Sequence, residues 1–150
     1  RGFKPELALP QGTTVEPDAS GSYALRAEDA ELHGNQIQQE NQGGQPNLGS
    51  WDNPADWVSW KVKFKEPGKY KVTASCSTLH SDAVFVVEAA DRKIEGKAPV
   101  TGAWDKFTEI EVGTIQVPKA GAQAVNMRPR DAQSWKAINL RWLKLSKSAP

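Results

Sequence analysis

Trp57-Val-Ser-Trp-Lys-Val-Lys-Phe64 is the stretch that decides the architecture, because Val58, Trp60, Val62 and Phe64 fall on one side of an extended chain and Ser59, Lys61 and Lys63 on the other. A period of two with one apolar and one polar face is the pattern of a strand that is buried on one side and wet on the other. Immediately downstream, Glu66-Pro-Gly-Lys69 offers Pro to pre-set φ and Gly for the permissive position of a turn, and Tyr70 to Cys76 resumes the alternation. Strand, turn and strand together predict a hairpin.

Working outward, Ala83 to Ala89 is an apolar run suited to a fully buried strand, followed by a turn at Ala90-Asp-Arg-Lys93 and a short segment around Ile94. Phe107 to Val112 places Ile110 and Val112 on one face, whereas beyond Gly113 the apolar pair becomes Ile115 and Val117. That change of phase predicts a bulge or bend at Gly113. Pro118-Lys-Ala-Gly121 turns the chain into Ala122 to Arg128, and Ala137 to Leu145 closes the domain. About eight short strands separated by Gly, Pro, Asn and Asp, with no sustained helical period, imply an all-β, two-sheet antiparallel β-sandwich of jelly-roll type. Residues 1–22, with Pro5, Pro10, Gly12, Pro17 and Gly21, lack periodicity and read as a linker or surface arm, leaving 23–150 as the sandwich. Gly34 to Asp56 is rich in Gln, Asn and Gly and reads as a long loop, functional or mobile, whose amides suit either plain solvation or bonding to hydroxyl groups.

The chain has 150 residues, enough for one domain with a sizeable core, and a formal net charge of only +1 with no basic block interleaved with aromatics. Nucleic acid is therefore excluded as the expected partner. No apolar run is long enough to span a bilayer, nothing at the N-terminus resembles a signal peptide, and a start at Arg1 is expected of a processed or excised fragment. Cys76, the single cysteine, shares the phase of Tyr70, Val72 and Ala74 and reads as a small buried hydrophobe. His33 and His80 lack a metal-ligand spacing and read as surface histidines.

Six tryptophans are the other strong signal. Trp60 and Trp142 sit in strand patterns and are expected in the core, and Trp57 points the opposite way from Trp60. Trp51, in Leu48-Gly-Ser-Trp-Asp-Asn-Pro54, and Trp104, in Val100-Thr-Gly-Ala-Trp-Asp105, sit in turn-like settings, where an indole is expected to be exposed for a flat ligand or to plug the end of the sandwich.

In their order along the chain, Ala27-Glu-Asp-Ala30, Leu48-Gly-Ser-Trp51, Ala55-Asp-Trp-Val-Ser-Trp60, Pro67-Gly-Lys-Tyr-Lys-Val72, Val100-Thr-Gly-Ala-Trp104 and Ile138-Asn-Leu-Arg-Trp142 resemble the landmarks of non-catalytic carbohydrate-binding modules of families 6 and 35, over roughly residues 23–146. The resemblance implies a galactose-binding-domain-like sandwich that acts as a monomer outside the cytoplasm (secreted, periplasmic or cell-surface). Its partners would be an oligo- or polysaccharide and a covalently linked glycoside hydrolase domain. It further implies that Trp51 and Trp104 sandwich a sugar ring while Asn139 hydrogen-bonds it; Trp135 joins this candidate set by its nearness to Asn139 in sequence.

The chemistry fits independently, since the C–H face of a pyranose ringed by hydroxyls matches an aromatic platform rimmed by amides. Two indoles each covering about 100 Å² would contribute on the order of 5 kcal/mol. Association costs of at least about 4 kcal/mol then leave a millimolar to micromolar site.

Many such modules hold a structural calcium through acids in the first and last strands. Here Arg26 and Glu28, then Arg141, stand in those places, so a calcium there is not expected, no cofactor or metal is assigned, and an Arg26 or Arg141 pair with Glu28 should tie the two ends of the domain. A calcium held elsewhere by loop carbonyls and Asp52 or Asp56 stays an open alternative. G-x-S-x-G, H-E-x-x-H and phosphate-loop patterns are all missing. Two rival readings stay open: a structural module that binds no sugar, and a small glycan-cleaving enzyme using a carboxylate pair from Asp52, Asp56 and Asp105. In the second, Asp56 reads better as a turn residue accepting backbone N–H groups.

Overall fold

The computed structural model describes residues 9, 10 and 12–148. Twelve strands are present among them, and the helical content is one 3₁₀ turn at Ala27–Asp29. They are β1 (Thr14–Val15), β2 (Tyr23–Arg26), β3 (Glu31–His33), β4 (Gln38–Gln42), β5 (Gln45–Gly49), β6 (Trp57–Phe64), β7 (Gly68–Ser77), β8 (Ala83–Ala89), β9 (Arg92–Ala98), β10 (Thr108–Val117), β11 (Gly121–Pro129) and β12 (Asn139–Lys147). One sheet runs β1-β6-β11-β8-β9 with β3 also on β6, and the other runs β10-β7-β12-β5-β4 with β2 also on β12. All pairs are antiparallel except β1 with β6. The expected all-β sandwich is the observed one.

The apolar face of Trp57–Phe64 is buried as expected, at Val58, Trp60, Val62 and Phe64. The expected wet face is corrected at Ser59, which is buried where β3 pairs with β6 and His33 bonds its hydroxyl. The hairpin prediction for β6 and β7 is corrected, because the two strands lie in different sheets and Lys65–Pro67 carries the chain across the sandwich. Their apolar faces, including Trp60 and Val62 on one and Tyr70 and Val72 on the other, meet in the core instead of lying side by side. A Pro-Gly turn with alternating flanks dictates that the chain reverses; it does not dictate that the two arms exchange hydrogen bonds. Pro118–Ala120 makes a second such crossing from β10 to β11.

Gly34 to Asp56 is likewise not one long loop. It contains the β4–β5 hairpin, in which Gln42 faces Gln45 around Gly43 and Gly44, both at positive φ (73° and 87°) as a two-residue turn requires. The phase change at Gly113 is a register shift between Glu111 and Gly113 against β7. A second shift, between Leu140 and Trp142, sends Leu143 and Leu145 into the core. Trp142 is thereby left half-buried beside Arg26 on the outer face, which corrects its expected place in the core.

Tyr23, Phe64 and Tyr70 close one end of the core with ring centroids 5.1 to 5.9 Å apart. The buried phenol of Tyr70 is pushed up to about 12 by desolvation. Cys76 is fully buried, and desolvation raises its thiol to about 12, so it is inert packing. In the segment expected as an arm, Val15 is buried and β1 pairs with β6; residues 1–8 and 11 of that segment lie outside the described residues.

Candidate functional site

At the end of the sandwich opposite Tyr23 and Tyr70, the C-terminal ends of β5 and β7 and the start of β12 come together around a cleft of about 300 Å³. Its lining is polar on the hairpin side, with Glu40, Gln42 and Ser50, and aromatic at Trp104, with Asn139 between them. Glu40 and Gln42 project from the same face of β4, two residues apart.

Close approach at Gly49 brings Glu40 and Asn139 together. A Cβ there would stand 2.1 Å from Glu40 Oε1 and 2.8 Å from Asn139 Oδ1, so any side chain at Gly49 would displace both. Ser50 Oγ donates to Glu40 Oε2 at 2.5 Å, which fixes the carboxylate along the cleft wall. Asn139 Nδ2 and Ser77 Oγ both donate to the carbonyl of Trp104, at 3.2 and 2.7 Å. The Thr101 N–H donates to the Thr78 carbonyl at 3.0 Å and Thr78 Oγ1 to the Ala137 carbonyl at 2.7 Å, so the end of β7 straps both neighbouring loops. Trp104 is half-buried and His80 meets its ring edge-on at 5.9 Å. With one amide hydrogen committed to the Trp104 carbonyl, Asn139 retains its Oδ1 acceptor for a hydroxyl.

Of the four residues expected at a sugar site, Trp104 and Asn139 both line this cleft, Trp104 half-buried and not fully open, and Asn139 buried at the start of β12. Trp51 borders the same cleft, but its exposed indole is corrected: the residue is 0% exposed. Ser50 adopts φ 53°, and this left-handed step turns Trp51 inward, where Nε1–H donates to the Asp56 carbonyl at 2.9 Å. Trp135 packs on Trp51 at 5.3 Å and donates its Nε1–H to the Trp51 carbonyl at 2.7 Å, away from the cleft lining. These two indoles seal the sandwich end, so among the described residues Trp104 faces the cleft without Trp51 opposing it as an open ring. The loop carrying Trp135 is fastened by Asp131, whose carboxylate accepts the Ser134 N–H and hydroxyl and is held down to about 2 mainly by those bonds.

The rival carboxylate pair loses Asp56, which is buried and accepts the backbone N–H groups of Asn35, Gln36 and Ile37 at 3.3, 3.0 and 2.9 Å. It acts as the turn residue its position predicted. Calcium ligation does not suit the residues present. Glu28 and Asp29 face Arg26 at 3.7 and 3.0 Å, Arg141 brings a guanidinium, and among the described residues no three acidic, His or Cys side chains cluster. The Arg26–Glu28 pair is local, so the expected tie between chain ends through that pair is corrected: the β2–β12 ladder supplies it. His33 is not a plain surface residue either, for it stacks on Trp57 at 3.7 Å and bonds Ser59 Oγ at 2.8 Å.

Sequence reasoning did not single out Glu40 and Ser50, which also line the cleft, and reached Gln42 only as part of the amide-rich segment. Gly43-Gly44 between two polar extended runs was the hairpin signal that places Glu40 and Gln42.

The fold is thus a two-sheet β-sandwich with a polar, indole-bordered cleft at one end. The chain belongs to the carbohydrate binding module family 6, whose family model matches residues 26–147. Among solved structures it is similar to the C-terminal family 6 module of a marine laminarinase from Zobellia galactanivorans (21% identity, 84% of this chain and 99% of that one, TM-score 0.71). It is also similar to a family 6 module of Cellvibrio mixtus lichenase 5A in complex with cellotriose (24% identity, 84% and 97%, TM-score 0.69). A third is a β-1,3-glucan-binding family 6 module from Bacillus halodurans (19% identity, 89% and 99%, TM-score 0.70). No curated protein sequence matches the chain significantly.

Proposed function

We propose that the chain binds a neutral carbohydrate non-covalently in the cleft beside Trp104, holding an attached glycoside hydrolase on its polysaccharide outside the cytoplasm. The observation that carries this reading is the convergence of the Trp104 indole, the Asn139 amide and the Ser50-braced Glu40 carboxylate on one cleft. The ring takes the C–H face of a pyranose, Asn139 Oδ1 accepts from one hydroxyl, and Glu40 accepts from another. Glu40 and the exposed Asp52 in the same lining repel uronates and sulfated sugars, which favours uncharged hexoses or pentoses.

With one platform in place of two, apolar burial contributes about 2.5 kcal/mol, below the association cost of at least about 4 kcal/mol. Hydrogen bonds therefore supply the margin, and a single site belongs at the millimolar end of the range. Family membership and the solved relatives support the reading. The linked hydrolase draws support from a Podospora anserina mannanase that joins a family 26 hydrolase to a family 35 module, similar over 87% of this chain and 28% of that one at 20% identity and TM-score 0.70.

Affinity electrophoresis through β-1,3-glucan, soluble cellulose derivatives, mannan and xylan tests the proposal. The native protein should be retarded by at least one polymer and Trp104→Ala by none. Unchanged native mobility in every gel would reject it.

A further inference from the structure

We infer that Arg141 is a positioning residue that clamps the two walls of the cleft to each other, setting the gap between Gln42 and Trp104; the inference rests on the glycan-binding reading for its consequence but not for its geometry. Arg141 is the extra residue at the register shift in β12, and the bulge aims its side chain differently from those of its neighbours. Its Nη2 donates to the Gln42 carbonyl at 3.0 Å, at the end of β4. Its guanidinium carbon lies 4.0 Å from the centre of the Phe107 ring, three residues beyond Trp104. One planar cation therefore touches the hairpin that carries Glu40 and Gln42 and also the loop that carries Trp104.

Gly43 shows how tightly the hairpin is drawn in. A Cβ at that position would stand 2.7 Å from Arg141 Nη2 and 3.2 Å from the Asp105 carbonyl oxygen. The turn, the guanidinium and the Trp104 loop meet at one point. The arrangement is not explained by charge neutralisation, since among the described residues no carboxylate pairs with Arg141 and its buried Nε has no partner. An unpaired buried donor destabilises a fold, so what the side chain contributes is the bridge. Lysine carries the charge but offers no plane for Phe107, which separates the two halves of the clamp.

The test compares the native chain with Arg141→Met, Arg141→Lys and Phe107→Leu in two measurements. Hydrogen exchange without any glycan should show amides of residues 38–49 and 103–107 opening about tenfold faster in Arg141→Met, while the β8–β9 hairpin in the other sheet exchanges as in the native protein. Affinity for whichever of the four polymers most retards the native protein should fall about tenfold or more, with Arg141→Lys and Phe107→Leu falling less. Unchanged exchange in both segments overturns the clamp. So does uniform acceleration throughout the chain, which would make Arg141 a general stabiliser. If Arg141→Met fails to fold, the same two patterns are read from Arg141→Lys and Phe107→Leu. Should no polymer bind the native protein, the glycan reading fails while exchange still decides the clamp.

Discussion

The loops around Trp51 and Trp104 look alike on paper, each a Gly, one small residue, a Trp and then an Asp, yet one ring is entombed and the other is half-buried at the cleft. One backbone angle and two contacts make the difference. Ser50 at φ 53° turns Trp51 toward the core, the Asp56 carbonyl satisfies its indole N–H, and Trp135 covers what remains. The Trp104 backbone is instead gripped through its carbonyl by Ser77 and Asn139, which leaves the ring at the rim. Local composition sets how flexible a loop is, whereas the acceptors nearby set which way a large amphipathic side chain turns.

The contrast breaks most visibly on truncation. Trp51→Ala should cost about 3–5 kcal/mol in urea unfolding because it empties a fully buried site. Trp104→Ala should change stability by less than about 1 kcal/mol and yet remove polymer retardation. Comparable losses of stability in the two variants would erase the distinction drawn here.

Asp56→Ala is the next largest change. It strips the acceptor from three backbone N–H groups beside the Trp51 pocket and should cost about 2–3 kcal/mol by the same unfolding measurement. Gly34 faces that carboxylate so closely that a Cβ would lie 1.9 Å from Oδ1, so Gly34→Ala should destabilise along with it. A neutral result for both would mean that the turn is not what holds this end.

On the Trp104 side, Glu40→Gln should leave stability near native. It should ease the exclusion of uronate-bearing polymers, raising their retention up to about tenfold relative to neutral ones. Equal retention ratios in variant and native protein would remove Glu40 from selectivity.

The smallest effect concerns a third indole, Trp57, half-exposed under His33. Desolvation lowers the His33 pKa below its usual 6.5, with Glu31 at 3.8 Å opposing the shift. The folded state thus favours the neutral ring, and its contribution to stability is complete above about pH 6.5 and declines as pH falls toward the lowered folded value. Tryptophan emission followed from pH 8 to pH 5 should show a step in this window that His33→Phe abolishes. Persistence of the step in that variant would assign it elsewhere.

Much of the scaffold was legible in the chain because a half-buried strand writes its burial as a period of two. Trp57–Phe64 and Ala83–Ala89 were read to their ends, and the phase change at Gly113 correctly located a bulge. The errors arose where one local pattern serves two tertiary arrangements. Pro67-Gly68 suits both a hairpin and a crossing between sheets, and the polar run from Gly34 hides a hairpin because β4 lies at a sheet edge and needs few apolar residues. At the cleft, Trp104 and Asn139 could be named as candidates because aromatic and amide chemistry is visible in residue type, and both line it. Ser50 could not, since its importance lies in a backbone angle and in a bond to Glu40, ten residues away.

The residues alone determined the strand faces, the all-β class and the presence of sugar-compatible chemistry, because each of these is encoded in the order of neighbouring side chains. Tertiary structure decided which indole opens to the cleft, that Trp142 leaves the core, and that Arg141 reaches Gln42 and Phe107 instead of an acid. Those outcomes depend on bulges and on partners many residues apart, whose energies exist only once the two sheets have met.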